Sequence, residues 1–150
     1  MSGDPCAALR WYLLLLMGGL LAQGLGSLAF RLVPALPAAA PYLVRGILGI
    51  DFWHAWIHIL WGAAGIALLL LQRGTPAAVR LALIFGLFYT ALGILGVTLH
   101  HPFGLKLDVF ENGFHLTAGP LTLGLGAWGA RRTTSILEGR ATSTSEGKKR

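Results

Sequence analysis

The stretch from Phe52 to Leu71 reads FWHAWIHILWGAAGIALLLL and contains no residue that carries a full charge at neutral pH. A helix that crosses a bilayer needs about 20 apolar residues, each adding about 1.5 Å along the axis. This stretch is long enough for one crossing. Its only ionisable side chains are His54 and His58, so it predicts a membrane span that carries two histidines.

Three other stretches have a similar character. Two of them are uncharged, and the last carries Glu111, Asn112 and His115 within its first two turns. The first contains more apolar residues than the 7–15 typical of a cleaved signal peptide, so we expect it to be retained. The sequence predicts an all-α membrane protein with four transmembrane helices. The four predicted spans are residues 11–30, 52–71, 81–99 and 109–130.

The composition excludes several classes of protein. Of the 150 residues, 55% are hydrophobic and 12% are charged, whereas soluble domains carry about 25% charged residues. So few polar groups do not cover the surface of a soluble enzyme, and disorder requires low hydrophobicity. The net charge of +6 does not indicate a nucleic-acid partner, because half of the Lys and Arg residues lie in residues 131–150. The single cysteine, Cys6, excludes an intramolecular disulfide.

The basic residues predict the orientation of the spans. The positive-inside rule places most Lys and Arg residues on the cytoplasmic side. Nine of the twelve share one side, and the three on the other side are Arg31, Arg45 and Lys106. We therefore expect a protein of the inner (plasma) membrane with both termini cytoplasmic. Residues 1–10 form the N-terminal segment, and residues 131–150 form a disordered basic tail attracted to anionic lipid headgroups.

Two parts of the chain resemble each other. A shift of 57 residues superimposes DFWHAWIHILWG (51–62) on DVFENGFHLTAG (108–119). Asp51 then falls on Asp108, His54 on Glu111, His58 on His115 and Gly62 on Gly119. A shift of 67 residues superimposes Gly19 and Gly26 on Gly86 and Gly93. These matches predict two parallel helical-hairpin repeats, related by an axis along the membrane normal.

The motifs DFWHAWIHILWG (51–62), FGLFYTALGILG (85–96) and DVFENGFHL (108–116) resemble those of a known family. The chain is similar to an uncharacterised bacterial family of four-span integral membrane proteins, catalogued as a domain of unknown function. Members have a histidine-rich second span and a second Asp-x6-His-Leu in the fourth. The resemblance covers about residues 13–130. It implies the topology and no activity.

The predicted outer end of the bundle gathers ionisable residues, which are costly within spans and usually face the bundle interior. His54 and His58 are four residues apart, as are Glu111 and His115, so each pair shares a helix face. If the two faces meet, these four side chains can bind zinc, copper or iron. The neighbours His100 and His101 are expected at the membrane interface.

A second interpretation is binding of haem or another tetrapyrrole. Paired histidines from two helices of a four-helix bundle are a common way to hold one. His58 and His115 would be the axial ligands, with Gly62 and Gly119 leaving room for the flat macrocycle. A third interpretation is purely structural. Histidines then hydrogen-bond across the bundle to Asp51, Asp108, Glu111 or a carbonyl group, and the aspartates cap helices.

The sequence contains no phosphate-binding Gly-Lys-Ser, no His-Glu-x-x-His and no Gly-x-Ser-x-Gly, the motifs of common enzyme classes. We therefore predict a non-enzymatic accessory or scaffold subunit. Its partners are the lipid bilayer and other membrane proteins, or further copies of itself, because glycine-lined helix faces favour helix association. Binding of haem, pigment or a metal through His58 and His115 is the alternative, and a small transporter is a third.

Overall fold

The computed structural model describes residues 7–42, 47–72, 74–99 and 102–147; Cys6, His100 and His101 lie outside these ranges. The described residues form helices and connecting segments, with no β-strand among them. A short 3-10 turn, Pro102–Gly104, precedes the last helix. The helices are α1 (Ala7–Leu32), α2 (Ala35–Ala39), α3 (Phe52–Leu71), α4 (Thr75–Leu99) and α5 (Val109–Gly147).

Three of these helices, α1, α3 and α4, are long and apolar enough to cross a membrane. Helix α3 has the bounds predicted from the sequence, whereas α1 and α4 extend beyond residues 11–30 and 81–99 at one or both ends. Helix α5 is less apolar, because polar residues and Pro120 interrupt its first half. The chain is therefore an all-helical protein with three candidate membrane-spanning helices, consistent with a membrane protein.

The long helices pack in two close pairs, α1 with α3 and α4 with α5. Glycines allow the close approach. A Cβ atom added at Gly62 of α3 would lie 2.7 Å from the backbone of α1, and one added at Gly119 of α5 would lie 2.5 Å from the Thr90 nitrogen of α4. Neither position has room for a larger side chain. Between the pairs, Leu13 and Phe85 belong to one buried apolar cluster.

The glycines predicted to be equivalent do not make equivalent contacts. Gly86 packs against the backbone of Leu123, whereas no atom lies within 4 Å of the Cβ position at Gly19. Gly93 packs against α5, whereas Gly26 meets the connection before α3. The helix contacts therefore do not follow the predicted shift of 67 residues. Eight of the 20 residues of the first span are leucines, so the sequence does not distinguish this shift from a neighbouring one.

Helix α5 continues over residues 131–147, where the sequence predicts a disordered tail. No proline follows Pro120, so every later residue has the N–H that a helix requires. The Arg132 guanidinium lies 4.4 Å from the centre of the Trp128 ring. The Thr133 hydroxyl donates to the Gly129 carbonyl oxygen. These contacts within α5 favour helix beyond the apolar part of the sequence.

Candidate metal centre

Two aspartates begin the helices that carry the histidines. Asp51 Oδ1 accepts a hydrogen bond from the His54 backbone N–H at 3.0 Å, and Asp51 Oδ2 accepts one from the Lys106 N–H at 3.0 Å. Asp108 Oδ1 accepts from the Glu111 N–H at 2.9 Å, while Glu111 Oε2 accepts from the Asp108 N–H at 2.9 Å. The latter pair is a capping box. Asp51 thus connects the start of α3 to the segment before α5.

The two histidine-bearing helix faces meet. The exposed fractions of His54, His58 and His115 are 0%, 2% and 1%. Each residue offers a nitrogen atom, and the three nitrogens lie within 4.8 Å of one another. Two of these residues come from α3 and the third from α5, so the cluster joins the two helix pairs. We call these three residues the imidazole cluster.

The imidazole nitrogens have almost no partners within the described part of the chain. Both nitrogens of His54, both of His58 and Nδ1 of His115 are buried without a hydrogen bond. The predicted hydrogen bonds from histidine to Asp51 or Asp108 are not among the contacts of the described residues. A buried polar atom without a partner costs about 1–3 kcal/mol, and such groups are rare in folded proteins. Five of them in one cluster point to a bound group.

Glu111 lies beside the imidazole cluster rather than within it. Its Oε1 is 3.6 Å from His54 Nδ1, beyond hydrogen-bonding distance, and its side chain is 10% exposed. It does not belong to the set of atoms that lie within 4.8 Å of one another. Of the four predicted ligands, the structure brings three together and places Glu111 next to one of them. Its position suits a carboxylate that orients a metal-binding imidazole.

Gly62 and Gly119 lie where the helices touch. The space that their missing side chains leave is filled by the backbone of the neighbouring helix, so the predicted room for a macrocycle is not there. A haem plane between His58 and His115 would also meet His54, since all three nitrogens lie within 4.8 Å of one another. The geometry suits a single ion better than a tetrapyrrole.

Tyr89 of α4 is part of the surroundings of the imidazole cluster and was not predicted from the sequence. Its ring centre is 4.9 Å from that of His115 and 6.2 Å from that of His58. Its hydroxyl is buried without a partner. Interfacial tyrosines lie near the ends of spans, whereas Tyr89 lies in the middle of residues 81–99. That position was the signal available in the sequence.

A partly open cavity of about 440 Å³ borders the imidazole cluster. Its walls come from α1, from α5, from the segment before α3 and from His58 of α3. His58, His115 and Glu111 line it, whereas His54 does not. The other lining residues are Leu15, Leu16, Gly19, Leu20, Gln23, Ile47, Gly49, Ile50, Asp108, Phe110 and Phe114. The cluster is therefore reached from one side, through a cavity with mostly apolar walls.

Comparisons of this chain with family models, with curated proteins and with solved structures give no match. The resemblance to a four-span family thus stays a prediction from the motifs.

Proposed function

We propose that this chain is a membrane protein that binds a transition-metal ion through His54, His58 and His115. The observation that carries the proposal is the convergence of three fully buried imidazoles whose nitrogens have almost no hydrogen-bond partners. A bound cation supplies the missing partner to each nitrogen at once. It also explains why three ionisable residues are concentrated where burial is most costly.

The ligand set suggests the class of ion. Imidazole nitrogen suits zinc, copper, iron and nickel, whereas calcium and magnesium prefer oxygen ligands. Three histidines leave a fourth position of a tetrahedral ion for water or another small ligand. Glu111 lies 3.6 Å from His54 Nδ1. If the other nitrogen of that imidazole bound the ion, a small shift would let the Glu111 carboxylate accept a hydrogen bond from Nδ1–H, as carboxylates commonly do for metal-binding histidines.

Equilibrium dialysis of the detergent-purified protein against zinc tests the proposal. We expect one zinc ion per chain in the unmodified protein and none in His58→Leu. Leucine is suitable because it replaces a buried unpaired polar group by an apolar one, which is neutral or stabilising. The metal-free variant should therefore stay folded. The control is Thr117→Leu, which replaces an exposed polar residue of α5 that lies outside the cluster.

Unfolding measurements give a second readout of the same variants. Zinc at 100 times its Kd should stabilise the unmodified protein by about 2.7 kcal/mol and leave His58→Leu unchanged. Equal zinc binding by the two proteins would overturn the proposal. So would a loss of zinc in Thr117→Leu as large as that in His58→Leu.

We further propose that α5 is a fourth membrane span. Contacts between α4 and α5 extend from Gly126 beside Leu83 to Gly96 beside Asn112. This distance is 14 residues of α5, or about 21 Å at the rise of a helix. Helix α5 thus accompanies most of a helix that is itself apolar enough to cross. The basic residues then favour cytoplasmic termini in the inner membrane.

The contacts also support two parallel hairpin repeats, with a corrected register. Gly24 of α1 packs against Ile59, and Gly93 of α4 packs against Leu116. Ile59 and Leu116 are separated by the 57 residues of the predicted shift, whereas Gly24 and Gly93 are separated by 69 rather than 67. A second pair of contacts agrees, because Gly62 meets Leu21 as Gly119 meets Thr90.

The predicted accessory or scaffold role has less support. That prediction assumes that glycine-lined helix faces bind partner proteins. The glycines with close contacts, such as Gly62 and Gly86, pack against helices of the same chain instead. The exposed leucines of the long helices suit lipid as well as protein. The expectation of a non-enzymatic protein stays a prediction. A small transporter stays a prediction without a specific observation in its favour.

A further inference from the structure

We infer that the cavity beside the imidazole cluster binds an amphipathic small molecule whose polar end completes the coordination of the metal ion. This inference rests on the proposed metal binding and adds the class of ligand that the site takes. It starts from the position of the cavity. Two of the three imidazoles line it and His54 does not, so the cavity borders one side of the cluster.

The composition of the walls indicates an amphipathic ligand. Leucines of α1 and phenylalanines of α5, together with Ile47 and Ile50, supply a mostly apolar lining. The polar groups are two imidazoles, Gln23, Asp108 and Glu111. Gln23 donates its side-chain N–H to the Ile47 carbonyl oxygen at 2.7 Å, so that donor is already used. A ligand with an apolar body and one metal-binding end matches this arrangement.

The size of the cavity fits a small molecule. Its volume of about 440 Å³ lies in the range of about 300–1,000 Å³ typical of ligand pockets. Gly19 lines it, and no atom lies within 4 Å of the position that a Cβ atom would take there. The space beside Gly19 is therefore open. Helices α1 and α5 have few contacts with each other, which leaves the cleft between them.

Cobalt(II) provides the test, because its visible absorption reports changes of its ligands. The protein is loaded with cobalt and titrated with a series from acetohydroxamate to decanohydroxamate, which differ only in alkyl length. We expect each compound to shift the cobalt spectrum and the affinity to rise with chain length. Burial of each additional CH₂ contributes about 0.8 kcal/mol, or roughly fourfold in Kd.

A matched pair of variants distinguishes hydroxamate binding in the cavity from its partitioning into the detergent micelle. Gly19→Phe places a ring in the cavity, whereas Gly18→Phe changes the neighbouring residue, which does not line it. Both glycines have no atom within 4 Å of the Cβ position, so both variants should fold. We expect Gly19→Phe to weaken decanohydroxamate binding at least tenfold with cobalt binding unchanged. Gly18→Phe should leave both unchanged.

The outcomes distinguish the two proposals. If the unmodified protein binds no cobalt, the metal site fails and the ligand inference fails with it. If cobalt binds but the hydroxamates leave its spectrum unchanged, remove it from the protein, or bind equally to both glycine variants, only the ligand inference is overturned. If the affinity for the hydroxamates rises equally with alkyl length in Gly18→Phe and Gly19→Phe, the rise comes from the detergent and not from the cavity.

Discussion

The imidazole cluster contributes little to the stability of the fold. Its members are His54, His58 and His115. Each is buried, and the described residues give almost no hydrogen bonds to their nitrogens. An apolar side chain of similar size would avoid the cost of desolvation. The proposed metal ion therefore explains the cluster better than a contribution to stability does. Tyr89, with a buried hydroxyl that also lacks a partner, extends this polar group into α4.

Glu111 has two roles that one substitution can separate. Glu111→Gln retains a side-chain oxygen for the capping box with Asp108 but removes the negative charge 3.6 Å from His54 Nδ1. We expect zinc affinity to fall about 10–100-fold, the usual effect of losing a carboxylate that orients a ligand. Zinc titration of the purified protein measures this.

Glu111→Ala is the companion variant, because alanine also removes the acceptor of the Asp108 N–H. It should lower the free energy of unfolding by about 0.5–1.5 kcal/mol more, the typical net contribution of one hydrogen bond. Zinc affinity that is unchanged in Glu111→Gln would show that the carboxylate serves the helix end alone.

Among the elements, the helix pairs depend on glycines at particular positions rather than on glycine content. In α5, Gly119 lies against the Thr90 backbone, whereas Gly124 has no atom within 4 Å of its Cβ position. We expect Gly119→Ala to lower the free energy of unfolding by about 1–3 kcal/mol, as overpacking does. Gly124→Ala should leave it unchanged or raise it by up to about 1 kcal/mol, because alanine favours helix. Unfolding in mixed micelles, followed by circular dichroism, compares the two.

Similar losses of stability in both glycine variants would contradict the close packing of α4 against α5. The comparison is internal to one helix, so a general effect of alanine or of detergent falls equally on both.

Helix geometry also explains why the shift of 67 residues does not superimpose equivalent contacts. Two residues turn a helix by about 200°, which exchanges the packed face for the opposite one.

At the scale of the whole molecule, the proposed fourth span determines on which side of the membrane the segment after α5's apolar part lies. Four crossings place Cys6 and Ser135 on the same side of the membrane, whereas three crossings place them on opposite sides. A membrane-impermeant maleimide measures this on intact cells and on inside-out vesicles. We expect Cys6 to be labelled in inside-out vesicles alone, and Ser135→Cys, in a Cys6→Ser background, to behave likewise.

The matched control is Lys106→Cys in the same background, which should be labelled on intact cells because it precedes α5 on the outer side. Labelling of Ser135→Cys from the same side as Lys106→Cys would show that α5 does not cross the membrane.

Most of the long helices of this protein are predictable from the amino-acid sequence. Uncharged apolar stretches of about 20 residues predict helices that cross a membrane, and residues 52–71 have the predicted bounds. Asp51 and Asp108 each precede a predicted helix, which favours the caps that the structure contains. Histidines four residues apart on one helix share a face, so His54 and His58 were identified as a pair from spacing alone.

Which helix faces meet became visible in the packed fold. It joined His115 to that pair, placed Glu111 beside the cluster, added Tyr89 and showed the space at Gly62 to be filled by α1. The cause is that the lipid around the helices is itself apolar. In a bilayer, lipid-facing and interior-facing side chains are both apolar, so the hydropathy pattern that locates a helix does not indicate which side of it packs against another.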